Sequence, residues 1–164
     1  MEIRPIRADE GLRLRDLRLR ALADAPLMFG ETLAQAQVRP EAFWHERAAR
    51  NAAGIEAITF VAEEDGDWHG MVTGFFPPDD PHAVRGVNLW VDPATRGWGV
   101  GQALMEAVAG WAGARGASRL QHWITETNTA SLTLCERIGF ARTGKTKPLG
   151  SDPSLRAVHM VREL

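Results

Sequence analysis

The stretch from Val87 to Leu104 restricts the chain more than any other: VNLWVDPATRGWGVGQAL. An apolar, β-branched run ends at Asp92-Pro93, glycines follow at 97, 99 and 101, and an apolar helical pattern begins at once. The first amide N–H groups of a helix lack acceptors and point the same way, and the macrodipole adds partial positive charge. Glycine lets backbone approach a ligand without an intervening Cβ. A strand, a glycine turn and a helix in this order therefore make an anion site suited to phosphate, with Arg96 adding a formal charge. A dinucleotide fingerprint would need GxGxxG near the start of a fold. Here the spacing is GxGxG, Gln102 fills the next slot, and the turn lies mid-chain.

Around this turn the pattern predicts a mixed α/β domain over residues 1–164, in the order β-α-α-β-β-β-α-β-α-β-β. Met1–Arg7 reads as an edge strand, and Asp9 is a candidate cap for a helix over Gly11–Ala23 whose apolar face is Leu14, Leu17, Ala21 and Leu22. Pro26 and Gly30 mark a loop, and a second helix runs from Pro40 to Arg50. Ile55–Glu63 and His69–Phe76 flank the turn cluster Glu64–Asp67 as a hairpin. Ala83–Val91 is a strand, Gly99–Gly113 a helix and Leu120–Thr125 a strand. Asn128 opens a helix that Gly139 closes, and Phe140–Lys145 and Leu155–Arg162 are the last strands. The central β-α-β segment requires a parallel pair with a helical crossover.

Composition narrows the function. The chain has 164 residues, 45% hydrophobic and 24% charged, with net charge -2 and pI near 6.2. That balance argues against a nucleic-acid partner, which selects a strongly basic face. Cys135 is the one cysteine, so neither an intrachain disulfide nor a CxxC motif exists, and the five histidines never stand at HxxxH spacing. No metal site is expected. The N-terminus is charged from its second residue and no apolar run approaches the ~20 residues of a membrane span, so a cytoplasmic protein without a membrane partner is expected. Richness in Arg, Ala, Gly and Trp suggests a GC-rich bacterial genome. A homodimer is left open.

Gly139–Thr146 fits GxxxxGK[ST] letter for letter. A P-loop needs a strand before it and a helix after it. The residues before it are helical in pattern and Pro148 follows, so the match is read as chance on a strand.

Arg96-Gly97-Trp98-Gly99-Val100-Gly101, after a strand ending Val-Asp-Pro, resembles the acetyl-CoA-binding motif of the GNAT superfamily of N-acetyltransferases. Asn128–Phe140 is similar to that family's Asn-x-x-Ala-x-x-Leu-Tyr-x-x-x-Gly-Phe segment, and Arg18–Leu22 with Asp24-Ala25-Pro26 and Phe29 resembles its first-helix region. The resemblance runs along the whole chain. It implies the GNAT acyl-CoA N-acyltransferase fold and transfer of acetyl from acetyl-CoA to a primary amine by direct attack in a ternary complex. It also implies a pantetheine arm against the backbone of Leu89, Trp90 and Val91. The pyrophosphate would lie on the amides of Trp98, Gly99, Val100, Gly101 and Gln102, beside Arg96 and Gly97, with Asn128 near the pantetheine.

Such a reaction needs a neutral amine, yet a lysine-like amine has a pKa near ~10.4. A base or water chain must take its proton, a donor must hold the oxyanion, and the thiolate must leave. Many family members use the tyrosine of the Leu-Tyr pair as the acid. This chain has Leu134-Cys135 there and no tyrosine at all. Cys135 is thus either a replacement acid or a small buried residue. For the base, His122 is the first candidate, with Glu63 and Glu126 as alternatives. Met28, Phe29, Phe75, Phe76, Trp90 and Trp123 are candidates to line an acceptor pocket, and Trp68 and Trp98 are expected to be exposed. A non-catalytic acyl-CoA-binding module is the competing function.

Overall fold

The computed structural model describes residues 1–164. Its elements are β1 (Glu2–Pro5), α1 (Gly11–Asp24), α2 (Leu33–Gln37), α3 (Glu41–Ala53), β2 (Ala57–Glu64), β3 (Asp67–Phe75), β4 (Ala83–Val91), α4 (Val100–Ala114), β5 (Arg119–Thr125), α5 (Thr129–Arg137), β6 (Ala141–Pro148) and β7 (Arg156–Glu163). A 3-10 turn, Pro93–Thr95, joins β4 to the glycine turn. The expected order holds with one addition, α2. Its signal is a capping box: the Thr32 side chain accepts from the Gln35 amide while the Gln35 side chain accepts from the Thr32 amide. At α1 the expected cap is absent. Glu10, not Asp9, stands at the N-cap position and makes no capping bond. Its carboxylate instead pairs with Arg4 at 2.7 Å and accepts from the Arg7 amide.

One seven-stranded sheet runs β1-β2-β3-β4-β5-β7-β6. Only β4 and β5 pair in parallel, as the α4 crossover requires. The β2–β3 hairpin closes through Asp65 and Gly66 at φ 51° and 87°, the two positive values of a type I′ turn. Apolar residues divide between the two faces. Leu104, Met105 and Val108 of α4 pack with Leu120, Leu132 and Met160 on one side. Leu14, Leu17, Trp44 and Ala48 of α1 and α3 pack with Val61 and Met71 on the other. Trp68, expected at the surface, is 5% exposed, because it joins this second core and lies beneath the Arg13 guanidinium, 4.3 Å from its ring centre. Trp98 is 68% exposed, as expected. No helix is long and apolar enough to cross a membrane.

The P-loop reading fails on structure. Gly139–Phe140 leads straight into β6, which pairs with β7, and no helix N-terminus follows Thr146.

Candidate active site

The site begins with a failure of strand pairing. Ladder partners between β4 and β5 run from Ala83↔Arg119 to Gly86↔His122 and then stop. Beyond that point β5 pairs only with β7, as far as Thr125↔Ala157. The cause sits in β4. Met71 faces Trp90 and Thr73 faces Val87, so Asn88 and Leu89 together oppose Val72. This is a β-bulge, and Asn88 takes φ 59° to make it. Asparagine tolerates the left-handed region better than most side chains. The bulge bends β4 away from β5 and leaves the edge of Val87–Val91 toward β5 without a strand partner.

Two cavities meet at this gap. The larger, about 610 Å³, follows Leu89–Val91 to the glycine turn and is also lined by Asn128 and Leu134. The smaller, about 410 Å³, is lined by Asn88, His122, Trp123 and Lys147 among others. Met28, Phe29, Leu89, Asn128 and Ser131 border both. The loop after α1 spans the gap as a strap. Thr125 Oγ1 donates to the Leu27 carbonyl at 3.1 Å, and Ser151 Oγ donates to the Phe29 carbonyl. A Cβ on Gly150 would stand 2.9 Å from the Gly30 carbonyl oxygen, so glycine there permits the close approach of the two loops.

The glycine turn has the expected form. Gly97 and Gly99 adopt φ 85° and 82°, which strain any other residue. Gly101 serves a different need, since an added Cβ would lie 3.0 Å from Leu134 Cδ2. The amides of Gly99, Val100, Gly101 and Gln102 have no acceptor within the protein, and no side chain caps α4. Trp98 departs from expectation: its amide already donates to the Thr95 carbonyl at 3.3 Å, and it lines neither cavity. The open donor set is therefore Gly99–Gln102. Arg96 is already engaged within the protein. Its Nε donates to the Val91 carbonyl at 3.0 Å and its guanidinium pairs with Asp24. Asp24 also accepts from Trp90 Nε1 at 2.9 Å, so it latches the end of α1 to β4 and to the turn. Sequence reasoning passed over Asp24 as a site residue, although it stands in the Asp24-Ala25-Pro26 segment already singled out. Asn128 caps α5 through its Oδ1, which accepts from the Ser131 amide at 3.1 Å, and lines both cavities.

Of the three candidate bases, His122 alone lines either of these two cavities. It is 6% exposed, with Nδ1 2.7 Å from the Gly86 carbonyl. A carbonyl only accepts, so Nδ1 carries the proton and Nε2 keeps its lone pair. Burial pulls its pKa below the ordinary histidine value, and the bond to Gly86 only partly opposes this. The ring is neutral at pH 7. Glu63 lies on the opposite half of the sheet, bound to Arg4 and Arg13, and hydrogen bonding to Arg4 above all lowers it to about 2. Glu126 receives the Arg156 amide at 3.1 Å and lines neither cavity.

Cys135 does not stand at the site. It is fully buried in the core among Leu132, Ile138 and Phe140, lines neither cavity, and burial pushes its thiol up to about 12. Of the two roles left open for it, packing is the one its position supports. Cys135→Ala is expected to cost about 1 kcal/mol of stability and to change turnover less than twofold. A tenfold loss of turnover would restore the thiol as an acid. Among the candidate pocket residues, Met28, Phe29, Trp90 and Trp123 line the cavities. Phe75 instead lies under Arg85 and Phe76 against Trp111.

The comparisons with known proteins agree with this geometry. Residues 21–140 match the Acetyltransferase (GNAT) family. Mycothiol acetyltransferase from Salinispora tropica is 32% identical over 133 residues, 77% of this chain and 39% of that protein. The same enzyme from Thermobispora bispora is 32% identical over 81% of this chain and 48% of its own length. The chain thus spans less than half the length of these curated relatives. Among solved structures, a ribosomal-protein-alanine N-acetyltransferase from Brucella melitensis superposes with TM-score 0.79 at 25% identity, covering 100% of both chains. A Salmonella typhimurium protein solved with its cofactor acetyl-CoA superposes with TM-score 0.76 at 20% identity, covering 100% of this chain and 94% of that one. Built on a splayed β4–β5 pair and a glycine turn opening α4, the chain belongs to the GNAT acetyltransferase family.

Proposed function

We propose that residues 1–164 form an acetyl-CoA-dependent N-acetyltransferase that acetylates a primary amine of a small molecule or peptide by direct attack in a ternary complex, in the cytoplasm. The observation that carries this is the continuity of the gap. Four open amides at the start of α4 lead along the unpaired edge of β4 to a cavity walled by a neutral histidine. In this reading Gly99–Gln102 hold the pyrophosphate, Leu89–Val91 align the pantetheine as an added strand would be aligned, and Asn128 closes the gap beside it. Acetyl-CoA supplies the thioester. His122 Nε2 takes the amine proton directly or through one water. With Cys135 in the core, the thiolate leaves without a protein acid.

That missing acid is also the observation that favours a second reading, an acyl-CoA-binding module without catalysis. Two measurements separate the cases. A ligand at a hundred times its dissociation constant stabilises a fold by about 2.7 kcal/mol, and such a domain gains ~2–4 °C per kcal/mol. Saturating acetyl-CoA is expected to raise the melting temperature by several degrees, and ATP or NAD to leave it unchanged. Thiol release with an amine panel would then establish transfer, and binding without release would establish the module. Stabilisation by ATP alone would overturn both readings.

A further inference from the structure

The smaller cavity carries a charge pattern that the acetyl chemistry does not use. Trp123 forms part of its lining, and its ring contacts both His159, 4.6 Å away centre to centre, and Lys147, whose Nζ is 4.3 Å from the ring centre. Lys147 lines the same cavity and forms no ion pair. Arg85, outside the lining but close enough to act on Lys147, is held to the exposed Asp79 by a single long contact of 3.4 Å. Arg85 Nε and Trp123 Nε1 are both buried without an acceptor. Arg85, Lys145 and Lys147 all depress His159, after the larger effect of its burial, and no carboxylate opposes them. Lys147 is itself lowered, chiefly by burial and then by Arg85, against a smaller pull from Asp79.

Lys147 is exposed, so water solvates its ammonium in the open cavity, and a neutral or cationic acceptor that displaced this water would leave the charge unpaired. We infer that the acceptor is an amine that also bears a carboxylate, with its amine toward His122 and its carboxylate received by Lys147 beside the Trp123 ring. This rests on the acetyltransferase reading and deepens it by naming the substrate class. A monoanion is favoured because Lys147 is the one ammonium group in the cavity wall, and neither Arg85 nor Lys145 lines it. A cavity of about 410 Å³ suits a small molecule rather than a folded partner.

The test reads binding, so it needs no turnover. In 15N-labelled protein saturated with coenzyme A, the Trp123 indole signal is assigned by its loss in Trp123→Phe. Amino acids and their matched carboxamides are then titrated in pairs. At least one amino acid is expected to shift the Trp123 signal, with its carboxamide binding at least tenfold more weakly. Lys147→Gln is expected to weaken the acid at least fivefold, to leave the carboxamide unchanged, and to keep the thermal stabilisation by acetyl-CoA. Equal binding of acid and carboxamide, indifference to Lys147→Gln, or no response to any amino acid would overturn the inference while the acetyl-CoA result stands. Loss of acetyl-CoA stabilisation in the unmutated protein would instead overturn the acetyltransferase reading beneath it.

Discussion

Gly99→Val is expected to weaken acetyl-CoA binding at least a hundredfold while the chain still folds. Gly99 holds φ 82°, and an added Cβ there would meet nothing within 4 Å. The fold therefore suffers no clash, only the conformational penalty of a side chain in the left-handed region, about 1–2 kcal/mol and somewhat more for a β-branched one. Binding suffers separately. Gly99 is the first of four consecutive residues whose amides lack acceptors, and it lines the larger cavity. Relaxing its φ re-aims those amides, and the valine methyls stand where a phosphate would approach. A hundredfold loss corresponds to about 2.7 kcal/mol. Gly113→Ala supplies the control. Gly113 is exposed in the last turns of the same helix with open space around it, so alanine should stabilise by up to ~1 kcal/mol and leave binding untouched. Calorimetric titration of both variants decides the matter. Unaltered affinity in Gly99→Val would remove the glycine turn as the phosphate site.

How much of this site was readable in the sequence depends on whether its parts are local. The glycine turn, the hairpin through the Glu64–Asp67 cluster and the Asn128 cap each depend on a few adjacent residues, and each is legible in the sequence. The α2 helix was legible too, through Thr32 and Gln35, but the turn residues Pro26 and Gly30 drew the segment into a loop. The bulge was not legible. It is a mismatch of register between β3 and β4, and nothing in the spelling of Asn88-Leu89 reports what lies opposite. The same holds for Asp24 and Arg96, which are 72 positions apart and meet only because α1 ends beside the turn. The helical position of Cys135 is legible in the sequence, but the face it presents is set by the packing of α5 on the sheet. Lys147 was hidden in another way. It lies just past a chance P-loop match, on a strand whose residues are all exposed, where hydrophobic patterning carries no signal.

His122→Gln should lower turnover at least tenfold, since general-base catalysis contributes typically about 10²–10⁴. Glutamine can still donate to the Gly86 carbonyl, so the local fold and acetyl-CoA affinity are expected to persist. What it cannot supply is the basic lone pair of Nε2. The pH dependence gives a second signature. The folded pKa of His122 lies below its unfolded value near ~6.5, because burial disfavours the cation. The base form is therefore retained as pH falls past that value, and kcat should hold there before declining at lower pH. Stability behaves differently over the same range. Below the unfolded pKa the unfolded chain binds a proton that the native chain does not, so acid favours unfolding. The contribution of His122 is complete above pH ~6.5 and is lost as pH falls through the folded pKa. In His122→Gln that share of the acid sensitivity should disappear, whatever the role of the residue in turnover. The two readouts thus separate a buried neutral histidine from a catalytic one. If the acid sensitivity falls and turnover does not, His122 is structural, and the amine proton leaves through a water chain along the unpaired edge of β4.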